Sequence, residues 1–266
     1  MTTTTAVTTA PPRLRSRPRW LGGLIGVAGV IVVWQVLAMS GIVDATALPT
    51  PVNVVGQILD DGWSFYWPNV ETTLREAALG WLWGNALAIV LAVVFVQSRI
   101  LERGLLRVAI MTYCLPVIAI GPIFQIAFDG DTPKVILAAM SVFFTTLIGA
   151  LVGLRSADRS SLELVRAYGG GSWKQMTKVR LRASLPSLFT ALKLAAPAAL
   201  LGAIIGEYLG GESGLGVAMI ASEQGLHVER TWGIALVATA VAGFFYALIG
   251  FVGARLTTWA PKAGSR

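Results

Sequence analysis

The sequence predicts an all-α membrane protein with six transmembrane helices and both termini in the cytoplasm. Its 266 residues are 55% hydrophobic and only 13% charged, with a mean hydropathy of +0.69, whereas an ordinary soluble domain carries about 25% charged residues. Five runs contain no Asp, Glu, Lys or Arg over the length of roughly 20 residues that a spanning helix needs; they are residues 20–43, 77–98, 108–128, 135–154 and 231–254. A sixth run, 186–206, is interrupted only by Lys193. The charge is one-sided: 17 of the 21 lysines and arginines fall within 13–19, 99–107, 155–182 and 255–266, and only Arg75, Lys134 and Arg230 lie in the opposite loops. The positive-inside rule therefore puts the first, third, fifth and last of the flanking segments in the cytoplasm. The net charge of +7 reports topology and gives no reason to expect a nucleic acid partner.

Taken in order, the chain opens with a basic cytoplasmic tail, residues 1–19, rich in threonine and expected to be disordered. The run that follows is longer than the roughly 7–15 residues of a secretory signal core, so it reads as a retained span. Outside, Leu48-Pro49-Thr50-Pro51 predicts a short helix along the outer membrane face, with Thr50 as N-cap and Pro51 at the first helical position. Trp63, Tyr66 and Trp67 cluster before the second span, as an interfacial belt or as an aromatic cage for a substrate. Glu71 and Arg75, four residues apart in the favourable order, read as support for the start of that span. The long cytoplasmic loop, 155–185, predicts two short helices: Ser160-Ser161-Leu162-Glu163 is a capping-box start, Gly169-Gly170-Gly171 a stop, and Ser172-Trp173-Lys174-Gln175 a second capping-box start. In the second of these helices Trp173, Met176, Val179 and Ala183 share one face, while Lys174, Lys178 and Arg182 form a stripe on another. Such a pair is either a membrane-surface element or a docking site for a partner protein. A short tail, 259–266, closes the chain, and residues 20–258 form the membrane domain.

Catalytic and metal chemistry have little to stand on. One cysteine, Cys114, and one histidine, His227, leave no disulfide, no clustered thiolate or imidazole site and no nucleophile–base pair within the spans. No catalytic residue, metal or cofactor is expected. Two charged residues touch the apolar runs, where charge is costly. Lys193 stands about two turns inside its span, in a structural or interfacial role or in a pathway, and Glu207 ends that span between glycines, as a helix-end acid or facing a pathway or interface. The pairs Gly80/Gly84, Gly149/Gly153, Gly202/Gly206 and Gly206/Gly210 allow close helix approach, within the bundle or between copies.

Glu163-Leu164-Val165-Arg166-Ala167-Tyr168-Gly169, with Val179 and Leu181 at the following spacing, resembles the EAA loop of binding-protein-dependent ABC importer permeases: Glu-Ala-Ala, three residues, Gly, nine residues, Ile, one residue, Leu-Pro. The chain departs from it at Leu164, Val165 and Arg182. Residues 48–55, 116–128 with Pro133-Lys134, 167–169, Leu185-Pro186 and 206–210 with 214–216 are similar to the sulfonate, taurine, nitrate and pyrimidine-precursor branch, which usually has tryptophan at Ala127 and an apolar, glycine-containing turn at Asp129-Gly130-Asp131. The resemblance covers about residues 20 to 258 and implies a type I importer permease, a multi-pass protein of the cell (inner) membrane. It also implies the partners: two ATP-binding-cassette ATPase subunits, a second permease copy, as a homodimer or with a sibling permease, and an extracytoplasmic substrate-binding protein. The site it implies is a coupling loop at Glu163, Leu164, Val165, Ala167, Tyr168, Gly169, Val179 and Leu181. The chain itself has no GxxxxGK(S/T) phosphate loop, since Trp173 precedes Lys174 where the second glycine must stand. The rival readings are an ion-coupled secondary transporter working without an ATPase, which wants paired acids or broken helices, and a membrane-embedded enzyme.

Overall fold

The computed structural model describes residues 19–41 and 47–259. All regular structure among them is helical: α1 Arg19–Met39, α2 Pro51–Gln97, α3 Arg99–Cys114, α4 Val117–Ala127, α5 Thr132–Arg155, α6 Arg159–Ala167, α7 Ser172–Gln175, α8 Leu181–Gly210, α9 Leu215–Gln224 and α10 Val228–Leu256. Five of these helices are long and apolar enough to cross a membrane, six when the bent pair α3–α4 counts as one. The two expected tails lie outside the described residues except for Arg19 at one end and Trp259 at the other, and Asp44, Lys262 and Arg266 are outside them too.

The chain divides into two units, Met1–Asn53 and Val54–Arg266. In the first, α1 is apolar on every side, and Trp34 Nε1 donates to the Pro49 carbonyl at 3.0 Å. Thr50 Oγ1 accepts from Asn53 N at 3.3 Å, so the Leu-Pro-Thr-Pro segment starts a helix as its capping residues dictate. That helix is the beginning of α2. It does not end as a separate short element: only Gly62, at φ 68 and ψ 178, breaks the helical conformation before the chain continues to Gln97. A glycine is what a break of that sign requires.

In the second unit α5 and α8 form the central pair. Small residues let their backbones approach, which is how helices associate where lipid removes most of the hydrophobic drive. A side chain at Gly202 would meet the Leu137 carbonyl at 2.8 Å, and one at Gly153 the Ser184 carbonyl at 2.9 Å. Gly80 makes the same kind of contact from α2, 2.8 Å from the Val135 carbonyl. These glycines pack within the bundle. Polar side chains add cross-links: Thr146 donates to Asn85 and Ser187 to the Gly149 carbonyl at 2.9 Å, each worth on average about 0.6 kcal/mol inside a membrane. At the end that carries the 155–185 loop, Phe95, Leu147, Leu151, Leu154 and Met176 form a buried cluster; at the other, Tyr66, Val70, Leu215 and Ile234 form a second.

One expected span is sharply bent. Residues 108–128 do not make a continuous helix, because α3 and α4 meet at 96° across Leu115 and Pro116. Proline lacks the N–H and disfavours helical backbone before it, and Leu115 is extended at φ −73 and ψ 124.

Candidate functional site

The loop between α5 and α8 is built from its caps. α6 starts two residues earlier than the Ser160–Glu163 pattern suggests, because Asp158 is the N-cap and accepts from Ser161 N at 3.1 Å. The second expected capping box does not form either: Gly171 occupies the N-cap of α7 and Ser172 is already helical. An acid at residue 158 outcompetes the serines, and a glycine that ends one helix sits directly before the next. The stop between them follows the expected glycines. Gly169 N donates to the Arg166 carbonyl at 2.9 Å and Gly170 N to the Val165 carbonyl at 2.8 Å, which is the Schellman pattern, and Gly169 has the left-handed φ of +74 that this closure demands.

The elbow so formed presents large apolar side chains to the outside. Tyr168 is 84% exposed, Trp173 64% and Leu164 59%. Glu163, Ala167 and Gly169 are also exposed, while Val165 and Val179 are half-buried and Leu181 lies at the exposed margin. Lys174, Lys178 and Arg182 are exposed as the expected stripe. The opposite face is anchored. Met176 is buried in the cluster around Phe95, and Arg180 Nη1 donates to the Leu154 carbonyl at 3.0 Å. Residues Met176–Arg180 form a π-helical turn joining α7 to α8, so residues 172–210 run as one helical stretch from the elbow into the bundle. A displacement of the elbow is thereby tied to the central helix.

A second constellation closes the other end of the bundle. Glu207, fully buried on α8, accepts from Gly216 N at 2.6 Å. Thr73 and Asn69 on α2 accept from Leu215 N at 2.9 Å and Gly214 N at 3.3 Å. Three side chains thus satisfy the first backbone N–H groups of α9, which would otherwise be orphaned in the interior. Glu76, also fully buried, is close enough to Glu207 for their charges to interact, and Lys134 Nζ lies 3.3 Å from Glu76 Oε1 and 3.1 Å from Asp131 Oδ1. Glu207 therefore does not stand alone. Nor does Arg75 find its partner in Glu71: it pairs with Asp131, which supplies the anion that both cations of this face need. A third cation at this end, Arg230, makes a two-pronged pair with Asp61, Nε to Oδ2 at 2.9 Å and Nη2 to Oδ1 at 2.5 Å. That guanidinium holds the Asp61 carboxyl below the usual carboxylate value of 3.8.

Lys193 is elsewhere. It is half-buried, with Nζ 5.5 Å from the centre of the Tyr246 ring, and fourteen residues of helix, about 21 Å, separate it from Glu207. The charged residues that sequence reasoning passed over, Glu76, Lys134 and Asp131, border the same outer ends of their apolar runs as Glu207 does; that shared level was the available signal. No group of three or more metal-ligating side chains exists among the described residues.

Residues 84–263 match the family described as binding-protein-dependent transport system inner membrane component. The chain belongs to this family. A riboflavin transport system permease protein of Chloroflexus aurantiacus is 31% identical, over 97% of this chain and 99% of the relative. A formylaminopyrimidine transport permease protein of Halalkalibacterium halodurans is 29% identical over 70% and 75%, and a Bacillus subtilis protein named for aliphatic sulfonates transport is 28% identical over 92% and 90%. The chain is thus an ABC transporter permease, a multi-pass transport component with the helices of a type I importer. The bent α3–α4 pair, the central α5–α8 pair and the buried anchor of α9 are the framework of that permease.

Proposed function

We propose that this permease is the transmembrane subunit of an ABC importer, forming with a second copy of itself the pathway for a small solute delivered by an extracytoplasmic binding protein. ATP hydrolysis takes place in two separate ATPase subunits, which dock on the 155–185 loop in the cytoplasm of a cell whose plasma membrane holds the complex. The observation that carries the reading is the elbow itself. Leu164, Tyr168 and Trp173 are exposed on a turn outside the apolar runs, rimmed by Lys174, Lys178 and Arg182, which have no ion-pair partner among the described residues, and Met176 fixes that turn to the bundle. An apolar centre with a charged rim is the anatomy of a protein interface. Glu163, Val165, Ala167 and Gly169 shape the elbow, and Val179 and Leu181 carry its motion into α8. The relatives' names differ in solute, which fits selection by the binding protein before the pathway is reached. Glu207 and Lys193 belong to helix positioning in this reading, Glu207 as the anchor of α9.

The test is affinity capture of the full chain from its native membrane in mild detergent, with intact-complex mass spectrometry. Two permeases recovered with two ATPase subunits are expected. Recovery as a lone oligomer that transports in proteoliposomes without ATP would overturn the proposal in favour of a secondary transporter.

A further inference from the structure

At the end of the bundle that carries the loop, a cavity of about 360 Å³ opens between the ends of α2 and α5, the start of α3 and the turn before α8. It is lined by Val96, Arg99, Glu102, Arg155 and Arg180. Three guanidinium groups face one carboxylate, which leaves two positive charges. Arg155 is paired with Glu102, and Arg180 spends one donor on the Leu154 carbonyl. The Arg99 guanidinium makes no hydrogen bond or ion pair among the described residues and is exposed. With five N–H donors on each guanidinium, most of the donors in the cavity are unspent. Planar forks of this kind recognise phosphate oxygens in pairs.

We propose that this cavity binds a phosphate group, and that the phosphate is the headgroup of an anionic phospholipid. Its position gives the source. Val96 is in the last turn of the apolar run 77–98 and Arg99 follows its end directly, so the guanidinium groups lie where hydrocarbon gives way to headgroups. Ile100 is 84% exposed and Leu101 and Leu105 are more than 40% exposed on the same stretch of α3, an apolar surface beside the cavity for acyl chains. Basic pockets between transmembrane helices hold anionic headgroups by this combination of depth and charge. The site lies at the root of the loop, since Arg155 ends α5 and Arg180 ends the turn that follows α7. A bound headgroup ties α3 to both.

Native mass spectrometry of the full chain, titrated in detergent with phosphatidylglycerol or phosphatidylcholine, tests this. The wild type is expected to retain phosphatidylglycerol in preference. Arg99→Gln is expected to weaken that retention about fivefold, equivalent to ~1 kcal/mol for one cation at an anionic surface, and Glu102→Gln to strengthen it, a gain that misfolding does not produce. Equal retention of the two lipids, or no loss in Arg99→Gln, overturns the proposal. Inorganic phosphate that raises the melting temperature of lipid-free wild type but not of Arg99→Gln, with no lipid retention, assigns the site to a free anion instead. Unchanged lipid retention in Arg99→Gln together with poorer co-purification of an ATPase subunit assigns the cavity to a protein interface, and the lipid reading falls.

Discussion

Glu207 offers the sharpest separation between an anchoring role and a transport role. Its carboxylate accepts the Gly216 N–H at 2.6 Å with no exposure to solvent, and its other oxygen accepts no hydrogen bond among the described residues. Truncation in Glu207→Ala orphans a buried backbone donor, at a cost of about 1–3 kcal/mol, and empties the space that the carboxyl group fills beside Gly214. A total of about 3 kcal/mol corresponds to a fall in melting temperature of roughly 6–12 °C for a domain of 150–250 residues. Glu207→Gln behaves differently. Its amide oxygen still accepts from Gly216, and its NH2 group donates toward the buried Glu76 carboxyl beside it. The amide variant is therefore expected to melt within about 2 °C of wild type and to keep its uptake. Thermal unfolding in detergent and solute uptake by reconstituted complexes measure the two quantities. A Gln variant as unstable as the Ala variant would refute the anchoring account, because it would show that the charge and not the hydrogen-bond geometry is required. A Gln variant with wild-type melting but no uptake would restore Glu207 to the pathway.

Gly169→Asn and Gly169→Val separate the two demands on the elbow: valine in a left-handed conformation costs about 1–2 kcal/mol whereas asparagine tolerates it, so nucleotide-dependent ATPase stimulation in reconstituted complexes should fall in both if a partner backbone must approach, and only in valine if the turn alone matters. Tyr168→Ser with Trp173→Ser should reduce ATPase co-purification at least tenfold, as loss of interface anchors does, while the melting temperature of the isolated permease stays unchanged, since both side chains are exposed; a drop in melting temperature would place them in the fold. The Asp61–Arg230 pair gives a pH dependence. The folded-state carboxyl titrates below its ordinary value of 3.8, so its stabilisation is fully present above about pH 4 and is lost as the pH falls through the lower folded value. The gap in melting temperature between wild type and Asp61→Asn should be constant from pH 5 to 8 and shrink below pH 4; a gap that widens in acid would contradict the pairing.

The membrane class was legible because lipid imposes a length and a polarity on every span, and both are one-dimensional properties. The loop was legible for a similar reason: Gly169 closes a local hydrogen-bond pattern within a few residues of sequence, which depends on no distant partner. Helix starts were less so. Asp158 against Ser160, and Gly171 against Ser172, are choices among adjacent capping groups that differ by about 1 kcal/mol or less. The break at Leu115 and Pro116 was visible as a proline inside an apolar run, but an apolar run by itself does not distinguish a kinked span from a 96° bend. The buried anchor was invisible because its members are 131 residues apart, from Glu76 to Glu207, and nothing local to either specifies the other.

The electrostatics of the two ends of the bundle differ in kind. At the end of the bundle that holds α9, Arg75 meets Asp131, Lys134 meets Glu76 and Asp131, and Arg230 meets Asp61, so each cation there answers an acid from another part of the chain. On the loop side, Arg99, Arg103, Arg107, Arg159, Arg166, Lys174, Lys178 and Arg182 make no side-chain hydrogen bond or ion pair among the described residues, and only Arg155 pairs with an acid, Glu102. Lys174, Lys178 and Arg182 rim the elbow, and Arg99 lines the arginine cavity. The Asp129-Gly130-Asp131 departure matters at the other end, because an apolar turn at 131 would leave Arg75 and Lys134 with Glu76 alone. Asp131→Ala should therefore destabilise the permease more than Asp129→Ala, whose carboxylate has no ion-pair partner among the described residues, and a larger loss in the Asp129 variant would show that the turn, not the charge, is what this sequence requires there.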